Sequence, residues 1–272
     1  MTIADDSRQP YMLATGNDAA DRLRLLHKIF GSSSRKLLKA AGISPGMRIA
    51  EIGCGSGLNA IWLARTVGAT GSVTAVDSSD EQLQLARKNA ASAGLKNVFF
   101  CHADAYHTGL PRGAFDLVYS RFLLCHLAKP RQALSEMCSL LKPGGILACE
   151  DHDDGGIFTE PPTRAYQRLV EISRTLNQSR GLDSYIGLKL PHLFQQAGLT
   201  DIHLRVLQFA FLRGEEKRFW ELTLREAAPA ILDAGASTPE ELESICDEMR
   251  GLANDESVLL MLARVTQVWA KP

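Results

Sequence analysis

The chain has no apolar stretch near the roughly 18 residues needed to cross a bilayer, and its start, Met1-Thr2-Ile3-Ala4-Asp5-Asp6, is acidic and lacks the apolar core of a secretory signal. A cytoplasmic location is the expectation. A charge surplus is missing too: 30 basic and 31 acidic residues leave a net charge of -1. That balance gives no electrostatic reason to expect a nucleic-acid partner, which normally calls for a basic face. No two of the six cysteines (Cys54, Cys101, Cys125, Cys138, Cys149 and Cys246) stand at the C-x-x-C spacing of a zinc or redox site. Several fall inside apolar runs, where they are expected to act as small buried hydrophobes in a reducing compartment. Repeats and low-complexity tracts are absent. What remains is an ordinary globular composition, 45% hydrophobic and 22% charged over 272 residues, enough for one large α/β domain with insertions.

The most informative stretch is Ile49-Ala50-Glu51-Ile52-Gly53-Cys54-Gly55-Ser56-Gly57. An apolar run from Met47 to Ile52 reads as a buried strand, and it empties into three glycines followed by the apolar stripe Leu58, Ile61, Trp62 and Leu63. Strand, glycine turn and helix follow one another. Glycines suit such a turn because they take positive φ and, lacking Cβ, let a ligand rest on the backbone. A second short strand, Ser72 to Val76, ends in Asp77, where a carboxylate can accept from both hydroxyls of a ribose. Glu51, two residues before the first glycine, argues against a pyrophosphate at the helix N-terminus and suits a ligand carrying an ammonium group.

In these residues the chain resembles the class I S-adenosylmethionine-dependent methyltransferases, whose first motif is the acid-x-G-x-G-x-G reproduced from Glu51 to Gly57. The resemblance covers about residues 47 to 150, including an L-K-P-G-G turn at Leu141 to Gly145, and is less specific beyond them. It implies S-adenosyl-L-methionine as cofactor, with Asp104, after a third strand at Asn97 to Cys101, accepting the adenine amino group. It also implies that the segment from Arg121 to Leu127, after a fourth strand at Phe115 to Ser120, borders cofactor and substrate. The expected cofactor set is Tyr11, Glu51, Gly53, Cys54, Gly55, Gly57, Asn59, Asp77, Ser78, Gln82, Asp104, Ala105, Ser120, Arg121 and Phe122. Within the class, the chain is similar to small-molecule methyltransferases of ubiquinone and menaquinone biosynthesis and of bacterial secondary metabolism. The acceptor is therefore expected to be a small molecule carrying a hydroxyl, an amine or an activated carbon, with assembly into a homo-oligomer left open. A relative using the same cofactor for another reaction, such as natural-product cyclisation, or a non-catalytic relative, stands as the alternative.

Strands alternating with helices predict an α/β fold: a Rossmann-like, doubly wound, mostly parallel sheet with an antiparallel last strand. Residues 1–45 are expected to form a helical cap with two helices, one from Asp18 and one through Leu37, Leu38 and Ala41. The methyltransferase domain is expected at 46–272, with lid helices inserted at about 156–198 and 214–254 and a last strand from Val258 to Trp269. The apolar island Tyr11-Met12-Leu13 reads either as a lid over the cofactor or as a stray hydrophobic staple. A fifth strand at Ile146 to Glu150 should bring Glu150, Asp151 and His152 to the mouth of the site, with His126 arriving from the fourth. Glu150, His152 and His126 are the catalytic candidates, a histidine among carboxylates being able to titrate near neutrality as a general base. No metal is expected, although Asp151, His152 and Asp153 offer ligand atoms.

Overall fold

The computed structural model describes residues 12–13 and 20–272. Its central sheet has the strand order β3-β2-β1-β4-β5-β10-β7. These strands are β1 (Arg48–Ile52), β2 (Ser72–Asp77), β3 (Val98–His102), β4 (Phe115–Arg121), β5 (Leu141–Asp153), β7 (Thr200–Leu207) and β10 (Arg264–Lys271). The first five are parallel; β10 runs antiparallel to both of its neighbours, β5 and the edge strand β7. Strand order reverses between β1 and β4, and ligands of open α/β sheets bind at such a switch point. The central strands β1, β4 and β5 are apolar on both faces because helices cover both. On one side α1 (Ala20–Ala40), α2 (Leu58–Val67) and α3 (Asp80–Ser92) bury Ile49, Val73, Leu117 and Tyr119. On the other, α4 (Pro130–Leu140) and α6 (Ile186–Gln196) bury Ala50, Ile52, Val118 and Leu147.

Local chemistry sets several boundaries. Ser79 caps α3 by accepting from Gln82 N at 3.3 Å, and Thr238 caps α8 (Pro239–Leu252) by accepting from Glu241 N at 3.2 Å. Pairing between β4 and β5 jumps from Phe115–Leu141 to Leu117–Ile146, so Lys142 to Gly145 loops out as the expected turn.

Beyond β5 the chain builds a separate apolar cluster over the carboxyl edge of the sheet. It joins the front half of α1 to α5 (Arg164–Ser179), α7 (Phe219–Asp233) and α8 through Leu25, Phe30, Leu169, Ile172, Trp220 and Ile245. A small sheet, β6 (Phe158–Glu160), β9 (Leu259–Met261) and β8 (Ala210–Phe211), lies beside it.

Three expectations are corrected. The two amino-terminal helices are one: the Gly31-Ser32-Ser33-Ser34 run does not break α1, because the Ser33 and Ser34 hydroxyls donate back to Phe30 O at 2.7 and 3.1 Å. The strand expected over Val258 to Trp269 is two, β9 in the small sheet and β10 in the large one, so Leu260, Leu262, Ala263 and Val265 join the helical cluster while Val268 and Ala270 pack with the sheet. Of the 156–198 segment, α5 joins the helical cluster, whereas α6 packs on the sheet through Ile186, Leu190 and Phe194.

Candidate functional site

The carboxyl ends of β1, β2 and β4 open into a cavity of about 980 Å³, at the upper end of the usual range of roughly 300–1,000 Å³ for ligand pockets. The glycine turn is its floor. Gly55 has φ 51°, and nothing lies within 4 Å of where its Cβ would stand, which leaves the backbone open to a ligand. Gly57, at φ 75°, serves packing instead, since a Cβ there would meet Ala86 Cβ at 2.8 Å. Asp77 pins the turn: Oδ2 accepts from Gly55 N at 2.8 Å and Oδ1 from Ser79 N at 3.0 Å. Burial raises the Asp77 pKa against those backbone donors, and each oxygen keeps a lone pair for a ribose hydroxyl.

Glu51 is almost fully buried, and its Oε2 has no hydrogen-bond partner. Burial pushes its pKa up to about 8, with Arg121 and a hydrogen bond to Asn59 pulling the other way. Oriented with its oxygen toward Arg121, the Asn59 amide accepts from Nε and Nη2 at 3.2 Å each. A buried carboxylate oxygen left open calls for a cationic or donor group in the cavity. Gln82, whose Oε1 is likewise buried without a partner, lines the far wall with Ser78, Asp104 and Ala105. Asp104 Oδ1 accepts from Tyr106 N at 2.8 Å.

A second chamber of about 120 Å³ adjoins the first, walled mainly by apolar side chains of α1, α5 and α7, among them Phe30, Leu169, Ile172, Trp220 and Leu224. Arg22, Leu26, Phe122 and His126 line both spaces, which therefore meet at these residues. Phe122 sits at φ 50°, a conformation costing about 1–3 kcal/mol for a residue other than glycine, with its N–H donating to Glu150 O at 2.9 Å. Its ring meets Phe30 edge-on at 4.9 Å and His152 at 5.7 Å.

The two histidines reach the chamber in opposite states. Burial drives His126 down to a pKa of about 4, so it is neutral at physiological pH. His152 is raised well above its ordinary value: burial opposes the charge, but Cys125, Asp151 and Asp154 outweigh it. The Cys125 thiol, itself pushed up to about 12 by burial, stays protonated. The carboxylates therefore do the holding, with Nδ1 3.5 Å from Asp151 Oδ1 and Nε2 3.4 Å from Asp154 Oδ1. The expectation that His152 titrates near neutrality is corrected accordingly.

Other candidates fall outside the cavities. Glu150 is enclosed in the sheet, accepting from the Tyr119 hydroxyl and from Gln267 Nε2 at 2.7 Å, and lines neither space; it is a satisfied core carboxylate. Ser120 is buried beside it, donating to Cys149 Sγ at 3.2 Å. Asp153 turns away to a fork with Arg264 at 2.9 and 3.1 Å, which removes it from the ligand trio with Asp151 and His152. Tyr11 lies outside the described residues; Met12 and Leu13 line the chamber. The rest of the expected cofactor set (Glu51, Gly53, Cys54, Gly55, Asn59, Asp77, Ser78, Gln82, Asp104, Ala105, Arg121 and Phe122) is gathered around one cavity. Sequence reasoning missed Arg22, Trp220, Arg180 and Leu182 as wall residues. Arg22 had a signal, being a cation on the apolar face of an amphipathic helix; the others had none.

A family model described as a methyltransferase domain matches residues 50–149. Methyltransferase GfsG of Streptomyces halstedii is 32% identical over 172 residues, which span 63% of this chain and 59% of that protein. Demethylmenaquinone methyltransferase of Listeria welshimeri is 33% identical over 192 residues, or 64% of this chain and 78% of that one. The chain belongs to the class I S-adenosylmethionine-dependent methyltransferases. As in other methyltransferases of this class, the cofactor is S-adenosylmethionine. The YcgJ protein of Bacillus subtilis, 19% identical, superposes with a TM-score of 0.59 over 90% of this chain and 98% of that one, which shows the fold. The residues present fit the methyltransferase cofactor: an open buried oxygen on Glu51 for an ammonium, a bare Gly55 surface and a two-oxygen acceptor at Asp77.

Proposed function

We propose that the protein transfers a methyl group from S-adenosylmethionine to a small, largely apolar acceptor held in the chamber between α1, α5 and α7. The observation that carries this reading is the junction of the two cavities at Phe122 and His126, one lined by cofactor chemistry and the other mainly by apolar side chains. Glu51 receives the ammonium end, Asp77 the ribose hydroxyls and Asp104 the adenine amino group. The cofactor supplies an activated methyl on sulfonium; the chain's own part is to hold the acceptor in line, exclude water and accept a proton where one must leave. Positioning of this kind supplies much of the rate. His126, neutral and at the junction, is the group that accepts the proton. His152, already charged and held by two carboxylates, orients Phe122 and the chamber mouth instead.

Met12, Leu13 and α1 serve as the cap, and α5, α7 and α8 as the lid. The near-neutral charge and the six free cysteines suit a cytoplasmic enzyme acting on small molecules rather than on nucleic acid. No helix among the described residues is long and apolar enough to cross a membrane. The test is formation of S-adenosylhomocysteine with a panel of phenols, quinols and amines. Tight cofactor binding without turnover on any acceptor, together with conversion of an unsaturated substrate without methylation, would move the assignment to a cyclase-type relative.

A further inference from the structure

Cys125 and His152 in the wall of the apolar chamber converge with Asp151, each of the three offering one ligand atom within 4.8 Å of the other two. His152 Nδ1 lies 3.5 Å from Asp151 Oδ1. Corners of a tetrahedron drawn with zinc bond lengths of about 2.0–2.3 Å stand about 3.3–3.6 Å apart. The second ring nitrogen is occupied on the outer side, Nε2 facing Asp154 Oδ1 at 3.4 Å. Asp154 is in turn fixed by the Ser173 hydroxyl, which donates to Oδ2 at 2.6 Å, leaving the buried Oδ1 to face the imidazole. A carboxylate that holds the outer nitrogen of a histidine is the arrangement that fixes the tautomer and ring plane of a ligating imidazole.

Both acids of the cluster are enclosed. Asp151 and Asp154 are 1% and 3% exposed, and among the described residues their ion pairs are with His152 alone, not with lysine or arginine. Asp151 is aimed by backbone donors, Oδ2 accepting from Cys125 N at 3.2 Å and Oδ1 from His152 N at 3.0 Å. The donor set combines a sulfur, a nitrogen and an oxygen, which suits a borderline ion of the zinc type rather than magnesium or calcium.

We propose that Cys125, Asp151 and His152 form a binding site for one zinc-type divalent cation, with Asp154 and Ser173 as its outer support. Binding releases two protons to solvent, the thiol proton of Cys125 and the Nδ1 proton of His152. Three protein ligands leave a fourth position, and Cys125 and His152 both line the apolar chamber. An acceptor oxygen placed there would be polarised by the ion; that use rests on the methyl-transfer reading, whereas the ion site does not.

The experiment uses the full chain, stripped with chelator under reducing conditions and free of cofactor and acceptor. Titration with cobalt(II) chloride is expected to show one equivalent bound, with a thiolate-to-cobalt charge-transfer band and tetrahedral visible bands that zinc chloride then bleaches. Cys125→Ser should lose the charge-transfer band, and Asp154→Asn should keep it while binding cobalt about 10–100-fold more weakly. No stoichiometric cobalt in the wild-type chain overturns the proposal, and so does an unchanged band in Cys125→Ser. If Cys125→Ser does not fold, Asp154→Asn decides, and an unchanged cobalt affinity overturns the site. Calorimetry of S-adenosylmethionine on the metal-free chain runs in parallel: failure to bind would sink the methyl-transfer reading and leave the cobalt result standing.

Discussion

The Arg22 guanidinium on α1 meets the Glu226 carboxylate on α7 at 2.7 Å, both side chains nearly enclosed. The pair ties the amino-terminal helix to the helical cluster at the wall shared by the two cavities. Removing one partner of a buried pair leaves the other charge uncompensated, at a cost of about 3–5 kcal/mol. Arg22→Met should lower the urea midpoint accordingly, and Arg22→Met combined with Glu226→Leu should recover most of the loss. Equal stabilities for the wild type and the single variant would show that the pair contributes nothing.

Glu51 links cofactor binding to pH. With a pKa of about 8 in the free cavity, it is mostly protonated at neutrality, and a bound ammonium favours the carboxylate. Affinity for S-adenosylmethionine should therefore rise as pH climbs from about 6 toward 8, with net proton release over that range. Calorimetry in buffers of different ionisation enthalpy reads the release directly, and Glu51→Gln should abolish it. For stability the sign is opposite. The folded chain binds the extra proton between the ordinary carboxyl value of 4.5 and about 8, so the ligand-free protein loses stability from Glu51 as pH rises through that window.

Asp77→Ala removes charge-assisted hydrogen bonds worth roughly 1.5–3 kcal/mol, so cofactor affinity should fall by about one to two decades. Because Asp77 also holds Gly55 N and Ser79 N, the melting temperature should be recorded alongside. Unchanged affinity would remove Asp77 from the site.

At Gly57 the expected damage is to folding rather than to contact. A Cβ would meet Ala86 Cβ at 2.8 Å from a φ of 75°, combining overpacking of about 1–3 kcal/mol with a left-handed backbone. Gly57→Ala should unfold at a lower temperature, and Ala86→Gly in the same chain should restore part of the loss. A Gly57→Ala chain that melts like wild type would contradict the packing.

His126 makes the kinetic prediction. Its pKa of about 4 leaves it competent to accept a proton throughout neutral pH, so its own titration should not shape the profile from pH 6 to 9. His126→Asn should lower kcat by about 10²–10⁴-fold with cofactor affinity intact. Wild-type kcat in that variant would mean that positioning alone carries the reaction.

Much of the site was legible because its chemistry is local. Glu51, Gly53, Gly55 and Asp77 lie at the junctions of a strand, a glycine turn and a second strand, and parallel pairing of β1 with β2 brings Ile52 beside Val76, setting that end of the turn next to Asp77. What was not legible depends on partners distant in the chain. Glu150 looked like a residue at the mouth of the site until Tyr119 and Gln267, 31 and 117 positions away, closed around it. Two amino-terminal helices were expected where α1 is one, because the Ser33 and Ser34 hydroxyl bonds to Phe30 O cannot be read from propensity.

By itself, the sequence determined the first five strands, the glycine turn and the acids at the strand ends around it, since each follows from hydrophobic period and backbone freedom over a few residues. Only the tertiary structure decided the ionisation of the histidines. His126 and His152 are the same residue type on neighbouring segments, yet burial empties one of its proton while two enclosed carboxylates hold it on the other. The same long-range packing of α1, α5 and α7 made the apolar chamber, because a cavity is the space left between elements that no single stretch of sequence contains.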